Sequence, residues 1–165
     1  MAKQPPDLDK LRDKIQFIRA QVESLEAARR GGREAFLQDS TLETAAIRRI
    51  QIAVEAMLDA ANHIVAREGL GVPRTYRESM RLLVDADILP RDRAGVFEKM
   101  VGFRNRAVHL YDEINPEEVW TIIDTELDDF EAFVRAIVVR YFDSPADDQS
   151  RANGGREGPT KAETP

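Results

Sequence analysis

The stretch AIRRIQIAVEAMLDAANHIV, residues 46–65, decides the fold class of this chain. Its apolar residues recur in steps of four and three, the spacing of one helical face: Ala46, Ile50, Ala53, Met57, Ala60 and Ile64. A second apolar row widens that face: Ile47, Val54, Leu58, Ala61 and Val65. Such a helix is buried on two sides, so we expect it at the centre of a bundle. Ser40 or Thr41 is expected to cap its start and Gly69 to follow its end.

Helical spacing also marks the rest of the chain, and no segment between turn signals alternates with the period of a strand. The predicted helices cover residues 8–30, a short turn at 33–38, and residues 40–68, 75–86, 92–109 and 115–142. The sequence therefore predicts an all-α bundle of about five helices within a domain of residues 1–143. Residues 144–165 hold almost no large apolar side chain, which predicts a disordered C-terminal tail.

The composition excludes several classes of function. The 165 residues contain no cysteine, which excludes disulfides, thiolate catalysis and cysteine-based metal sites, and is typical of a reducing cytoplasm. We expect no secretory signal and no membrane span, and hence a cytoplasmic location. A net charge of -6 argues against broad coating of nucleic acid, which needs a basic surface. Residues 91–109 nevertheless form a local basic segment, with five cations against two acids.

That segment contains the pattern RNRAVHLY, residues 104–111. His109 follows Arg104 by five residues and precedes Tyr111 by two. On a helix Asn105 and His109 share one face, whereas Arg104 lies roughly 140° around the axis from His109. Its long side chain either curls towards the same site or reaches a second subunit. The opposite face, with Val96, Met100, Phe103, Ala107 and Leu110, is expected to lie against the core.

An imidazole beside a guanidinium is enough to cleave RNA. A histidine transfers protons near neutral pH, and an arginine holds a phosphate and stabilises the charge that builds on it. The ribose 2′-OH is the nucleophile, so the site selects RNA over DNA and needs neither a metal nor a covalent intermediate. By itself, an arginine and a histidine five residues apart is also a common accident of charged helices.

Other candidate residues have structural interpretations. Gly102 on an exposed helical face indicates the close approach of a partner helix or of a substrate backbone. His63, on the central helix, is expected to be a partly buried structural residue. Glu55 and Asp59 are an i, i+4 acidic pair, which is weak evidence for a metal site; we expect them to pair with arginines such as Arg104 or Arg106.

The pattern at residues 104–111 resembles the R-x4-H-x-Y motif of HepT-like toxins, which belong to the HEPN superfamily of all-α ribonucleases. The resemblance extends to three other segments and covers roughly residues 8–140: QIAVEAMLDAANHI at 51–64, GLGVPRTY at 69–76 and MVGFRN at 100–105. These segments occur in the family's order, which makes the resemblance specific.

The resemblance implies roles for individual residues. Arg104 and His109 would be the ribonuclease residues, and Asn105 the polar residue that follows the motif arginine. The family forms a homodimer in which two motif helices enclose one positively charged cleft for the RNA substrate. Its usual partner is an MntA-like nucleotidyltransferase antitoxin, which transfers AMP from ATP to the motif tyrosine, here Tyr111. The added negative charge would switch the site off; the chain itself would need no cofactor and no metal.

Three hypotheses follow. The leading one is a metal-independent endoribonuclease toxin of a type VII toxin–antitoxin pair, inactivated by AMPylation of Tyr111. The second is a non-catalytic helical partner or regulatory subunit of a nucleotidyltransferase, and the third a purely structural bundle. The last helix carries several acids (Asp124, Glu126, Asp128, Asp129 and Glu131), which form either a solvated face or a docking surface for a basic partner.

Overall fold

The computed structural model describes residues 4–143, with the side chain of Tyr111 excepted. Seven α-helices occur in these residues, and no strand: α1 Leu8–Arg30, α2 Arg33–Gln38, α3 Ser40–Glu68, α4 Tyr76–Asp85, α5 Ala94–His109, α6 Pro116–Thr125 and α7 Asp128–Tyr141. Two 3-10 turns, Arg91–Arg93 and Tyr111–Glu113, precede and follow α5. The expected all-α bundle is confirmed, and the expected tail at 144–165 lies outside the described residues.

The centre of the bundle is α3, as the sequence predicts. Its buried residues face both α1 and α5, and α4 and α6 also pack on it. α1 runs antiparallel to α3: Lys14 Nζ is 2.7 Å from an Asp59 carboxylate oxygen, and Arg49 Nη1 donates to Gln21 Oε1 at 3.0 Å. α6 packs on α1, α2 and α3, while α5 lies against α3 and α4. The single core formed in this way holds α5 at the surface.

The helices end at the capping residues that the sequence predicts, except that the N-cap of α3 lies one residue earlier than expected. Asp39, rather than Ser40 or Thr41, caps α3, because its carboxylate accepts the backbone N–H groups of Thr41 and Leu42. Gly69 ends α3 with φ 64°, in the left-handed region that glycine adopts without strain. Asn115 caps α6, with a proline at the first helical position as expected.

The prediction of one continuous helix over residues 115–142 is wrong. The chain leaves the helix at Glu126 and Leu127, and α7 starts anew at Asp128. The first turn of α7 holds Asp128, Asp129 and Glu131, and acids stabilise a helix N-terminus through the helix dipole. Leu127 is buried at the break, so the apolar spacing continues through it and conceals it in the sequence.

No helix within residues 4–143 combines the length and the hydrophobicity that crossing a bilayer requires.

Candidate functional site

The motif residues lie at the carboxyl end of α5. Arg104 and Asn105 come in its last two turns, His109 is its final residue, and Tyr111 opens the 3-10 turn that follows. Asn105 and His109 are one helical turn apart and share a face, as predicted. Asn105 is partly buried and His109 is exposed. The helix therefore presents the imidazole to solvent at its end.

The buried face of α5 is only partly the one that the sequence predicts. The buried residues are Phe97, Val101, Phe103 and Ala107. Val96 and Met100 are partly buried and line a cavity of about 420 Å³ between α5, α3, α6 and α7, while Leu110 is 44% exposed. α3 and α4 both pack against α5, and the ring of Phe97 lies against Phe133 of α7, so the buried residues of α5 are not confined to one stripe.

Arg104 is held within its own chain. Its side chain is 16% exposed, and both Nε and Nη2 lie 3.3 Å from Glu55 Oε1. Nη1 donates to Asn105 Oδ1, also at 3.3 Å, and the guanidinium lies over the ring of Tyr76, 5.2 Å from its centroid. Within a single chain the side chain thus turns towards the motif face, and its reach to a second subunit stays a prediction. It reaches Asn105 and so approaches the face that carries His109.

The acidic pair on α3 divides between two basic partners. Glu55 binds Arg104, as the sequence suggested, and also accepts a hydrogen bond from Gln51 Nε2 at 3.0 Å. Asp59 instead binds Lys14 of α1. Glu55 orients the guanidinium, because its Oε1 contacts Nε and Nη2, whereas Nη1 donates to Asn105. Within the described residues, no three His, Asp or Glu side chains gather as metal ligands.

The basic segment at 91–109 is largely neutralised by acids from elsewhere in the fold. Each of its five cations has an acidic partner: Arg91 with Asp87, Arg93 with Asp129, Lys99 with Glu126, Arg104 with Glu55, and Arg106 with Glu118. The bond to Glu118 raises the pKa of Arg106 above its ordinary value. Asp129 and Glu126 are two of the acids expected on a solvated face or a docking surface, and both pair within the chain.

Gly102 makes room for a side chain of α4. A Cβ at this position would lie 3.3 Å from Nη2 of Arg77. Within this chain the close neighbour is therefore an arginine, and the expected approach of a partner helix or a substrate backbone stays a prediction. Arg77 and Tyr76, at the start of α4, are the residues near the site that sequence reasoning missed. Helical spacing cannot reveal them, because their proximity depends on how α4 packs against α5.

His63 has the structural role that the sequence predicts. Its Nε2 accepts the backbone N–H of Asp7 at 2.8 Å, which ties the start of α1 to α3. Burial, chiefly, and nearby Lys10 and Arg67 lower the pKa of His63 below its ordinary value, while Asp7 opposes them. A neutral imidazole is the form that accepts this hydrogen bond.

Residues 18–137 match the family model described as ribonuclease HepT-like. The chain belongs to the ribonuclease HepT-like family. The match includes α5 with Arg104, Asn105 and His109, as well as the 3-10 turn that begins at Tyr111. The family that the sequence motif resembles is thereby confirmed.

Two similar HepT nucleases and one solved HEPN toxin give this membership a context. The chain is 38% identical to the mRNA nuclease HepT of Shewanella oneidensis over 107 residues, which is 65% of the chain and 80% of the relative. It is 32% identical to the tRNA nuclease HepT of Aphanizomenon flos-aquae over 90 residues, 54% of the chain and 61% of the relative. A solved tri-AMPylated HEPN toxin of Shewanella oneidensis, in complex with MNT antitoxin, superimposes with a TM-score of 0.74 at 34% identity. That alignment covers 79% of this chain and 98% of the toxin.

Proposed function

We propose that this chain is the endoribonuclease toxin of a toxin–antitoxin pair and that it cleaves RNA without a metal ion. The observation that carries the proposal is the intact Arg104–His109 pair at the exposed end of α5, in a chain whose residues 18–137 match the HepT-like ribonucleases. The two relatives named as mRNA and tRNA nucleases support RNA as the substrate class.

In the proposed reaction a base removes the proton of a ribose 2′-OH, and the oxygen attacks the adjacent phosphorus. The bond from phosphorus to the 5′-oxygen breaks, and an acid protonates that oxygen, which leaves a 2′,3′-cyclic phosphate and a 5′-OH. His109 transfers a proton, since its imidazole is exposed. Arg104 binds the phosphate oxygens and stabilises their growing charge. The amide N–H groups of Asn105 donate to the same phosphate, since its Oδ1 is already bound to Arg104.

A single motif histidine per chain, His109, favours a homodimer. The step needs a base and an acid, and two α5 helices across a two-fold axis would supply one imidazole each. The distance along α5 supports the same arrangement, because Arg104 and His109 are separated by about 7.5 Å of helical rise. In the proposed dimer, a phosphate at the guanidinium would lie between the imidazoles of both protomers.

Tyr111 is the proposed regulatory position. It follows His109 by two residues and begins the turn after α5. An MntA-like nucleotidyltransferase partner would transfer AMP from ATP to its hydroxyl, while the toxin itself uses no cofactor. The phosphate of the adduct would then occupy the substrate site and repel RNA. The AMPylated state of the Shewanella toxin supports this role.

The ion pairs favour a second function. All five cations of the segment 91–109 are matched by acids of the same chain. A non-catalytic helical partner or regulatory subunit of a nucleotidyltransferase would need no free cation there.

Expression in a bacterium without the antitoxin separates the two functions. We expect the wild type to stop growth and His109→Ala to permit it at equal protein level. Equal growth of the two strains would contradict the nuclease. With the antitoxin co-expressed, the wild type should gain AMP-sized mass on Tyr111 and become harmless, whereas Tyr111→Phe should remain toxic. A silenced Tyr111→Phe variant would contradict the regulatory role.

A further inference from the structure

At the contact between α4 and α5, which we call the seam, two arginines of α4 one helical turn apart, Arg77 and Arg81, both face α5 but have different neighbours. Arg81 of α4 reaches Glu98 of α5, with Nη2 3.4 Å from the carboxylate. The two helices run in opposite directions at this contact. Arg77, one turn before Arg81 on α4, therefore contacts α5 one turn after Glu98. The residue that it meets there is Gly102, not an acid. The arginine nearer to the motif is thus the one that the fold leaves without a counter-charge.

The free charge of Arg77 distinguishes it from the cations around it. Its side chain is exposed, and it forms no ion pair with any residue that the structure describes between 4 and 143, the side chain of Tyr111 excepted. Arg104 and Arg106 of the motif both have acidic partners. An incoming phosphate therefore meets one unneutralised guanidinium at this seam.

The neighbouring residues show where this guanidinium lies. Thr75 caps α4 by accepting the backbone N–H of Glu78, and the ring of Tyr76 is stacked against Arg104. Gly102 removes the one Cβ that would crowd Nη2 of Arg77. On α5, Gly102 precedes Asn105 by three residues and His109 by seven, so all three lie on one face. The guanidinium of Arg77 consequently projects over the face that carries the motif.

The position of Arg77 along α4 points to an anionic ligand. It belongs to the first turn of a ten-residue helix, where the helix dipole disfavours a cation and favours an anion. The same turn holds one acid, Glu78, but its carboxylate accepts the backbone N–H of Arg74 and does not pair with Arg77. A bound phosphate would interact favourably with both the guanidinium and the helix N-terminus.

We propose that Arg77 binds a backbone phosphate of the substrate RNA adjacent to the scissile one, and so fixes the register of the strand over Arg104 and His109. This inference rests on the proposed ribonuclease function. Arg77 acts in binding and not in proton transfer, so its loss should raise KM far more than it lowers kcat. A phosphate contact also contributes to the salt dependence of binding, because neutralising a phosphate releases counterions.

Binding of a short fluorescent single-stranded RNA to the full chain tests this inference. His109→Ala is the background, so that the probe survives whether or not the wild type is a nuclease. Arg77→Gln is compared with two matched controls: Arg81→Gln, one turn along the same helix and already paired, and Arg135→Gln, an exposed arginine of α7. Circular dichroism and the unfolding midpoint of each variant verify that it is folded.

We expect Arg77→Gln to raise Kd by about 10-fold and to lower the slope of log Kd against log salt by about one, with both controls unchanged. Equal Kd and slope for Arg77→Gln and its controls would overturn the inference. It is likewise overturned if Arg77→Gln weakens only the complex with the nucleotidyltransferase antitoxin, which would assign the residue to a protein interface. A separate cleavage assay with the wild-type chain, which retains His109, tests the proposed function. If the RNA is bound through Arg77 but is not cut, the result contradicts the nuclease function and leaves the phosphate contact of Arg77 standing.

Discussion

Replacing Glu55 by Gln should measure how firmly the fold holds the motif arginine. The substitution keeps the shape of the side chain and one oxygen acceptor for Arg104, but removes the charge. Arg104 is 16% exposed and Glu55 34%, and the contacts to Glu55 Oε1 are 3.3 Å long. Exposed pairs contribute up to about 1 kcal/mol, and breaking a fully buried pair costs about 3–5 kcal/mol. The partial exposure and the long contacts place this pair near the lower figure, at about 1 kcal/mol.

A double-mutant cycle with Glu55→Gln, Arg104→Gln and the combined variant gives this interaction directly. The free energy of unfolding from urea titrations should show a coupling of about 1 kcal/mol, and Glu55→Gln alone should lower Tm by about 3 °C. The pair Lys14–Asp59 on the same helix is the control. With side chains 39% and 58% exposed, it should couple by less than about 0.5 kcal/mol.

A coupling below about 0.3 kcal/mol between Glu55 and Arg104 would refute the reasoning. Arg104 would then be turned away from α3 in solution, and Glu55 would have no part in orienting it.

Two further predictions concern stability. Gly102→Ala should raise the free energy of unfolding by about 0.5–1 kcal/mol, because alanine is the better helix former and the crowding atom is the movable end of the Arg77 side chain. Urea unfolding checks this, with Gly95→Ala as the control, since a Cβ at Gly95 would meet nothing within 4 Å. A loss of stability in Gly102→Ala would show that the Arg77 side chain cannot move aside. Since burial lowers the pKa of His63 below 6.5, its contribution to stability should be complete above pH 6.5 and lost as pH falls through the lowered pKa. Tm measured against pH should show this loss in the wild type but not in His63→Gln, and parallel profiles would contradict it.

Helical spacing was sufficient to predict the all-α fold and the central place of α3. It failed at the break between α6 and α7, because Leu127 is buried there and keeps the apolar spacing unbroken. The signal that could have revealed the break is the run of acids from Asp124 to Glu131, which is typical of a helix N-terminus rather than of a helix interior.

The sequence predicts those features of the candidate site that depend on positions within a single helix. The shared face of Asn105 and His109 follows from their spacing, and the pairing of Glu55 with Arg104 was one of the expected outcomes. The local charge was misjudged because the neutralising acids Asp129, Glu126 and Glu118 come from α6, α7 and the segment between them. Tertiary packing alone brings them to α5, and the same packing places Arg77 beside Gly102.

Cleavage of a single-stranded RNA by the purified chain tests the central claim most directly. Cell-free synthesis without the antitoxin keeps Tyr111 unmodified, and excess EDTA removes divalent metals. The account predicts that the wild type cuts the RNA under these conditions, leaving 2′,3′-cyclic phosphate and 5′-OH ends, and that His109→Ala leaves the RNA intact. Cleavage that stops in EDTA, or that proceeds equally in His109→Ala, would contradict it.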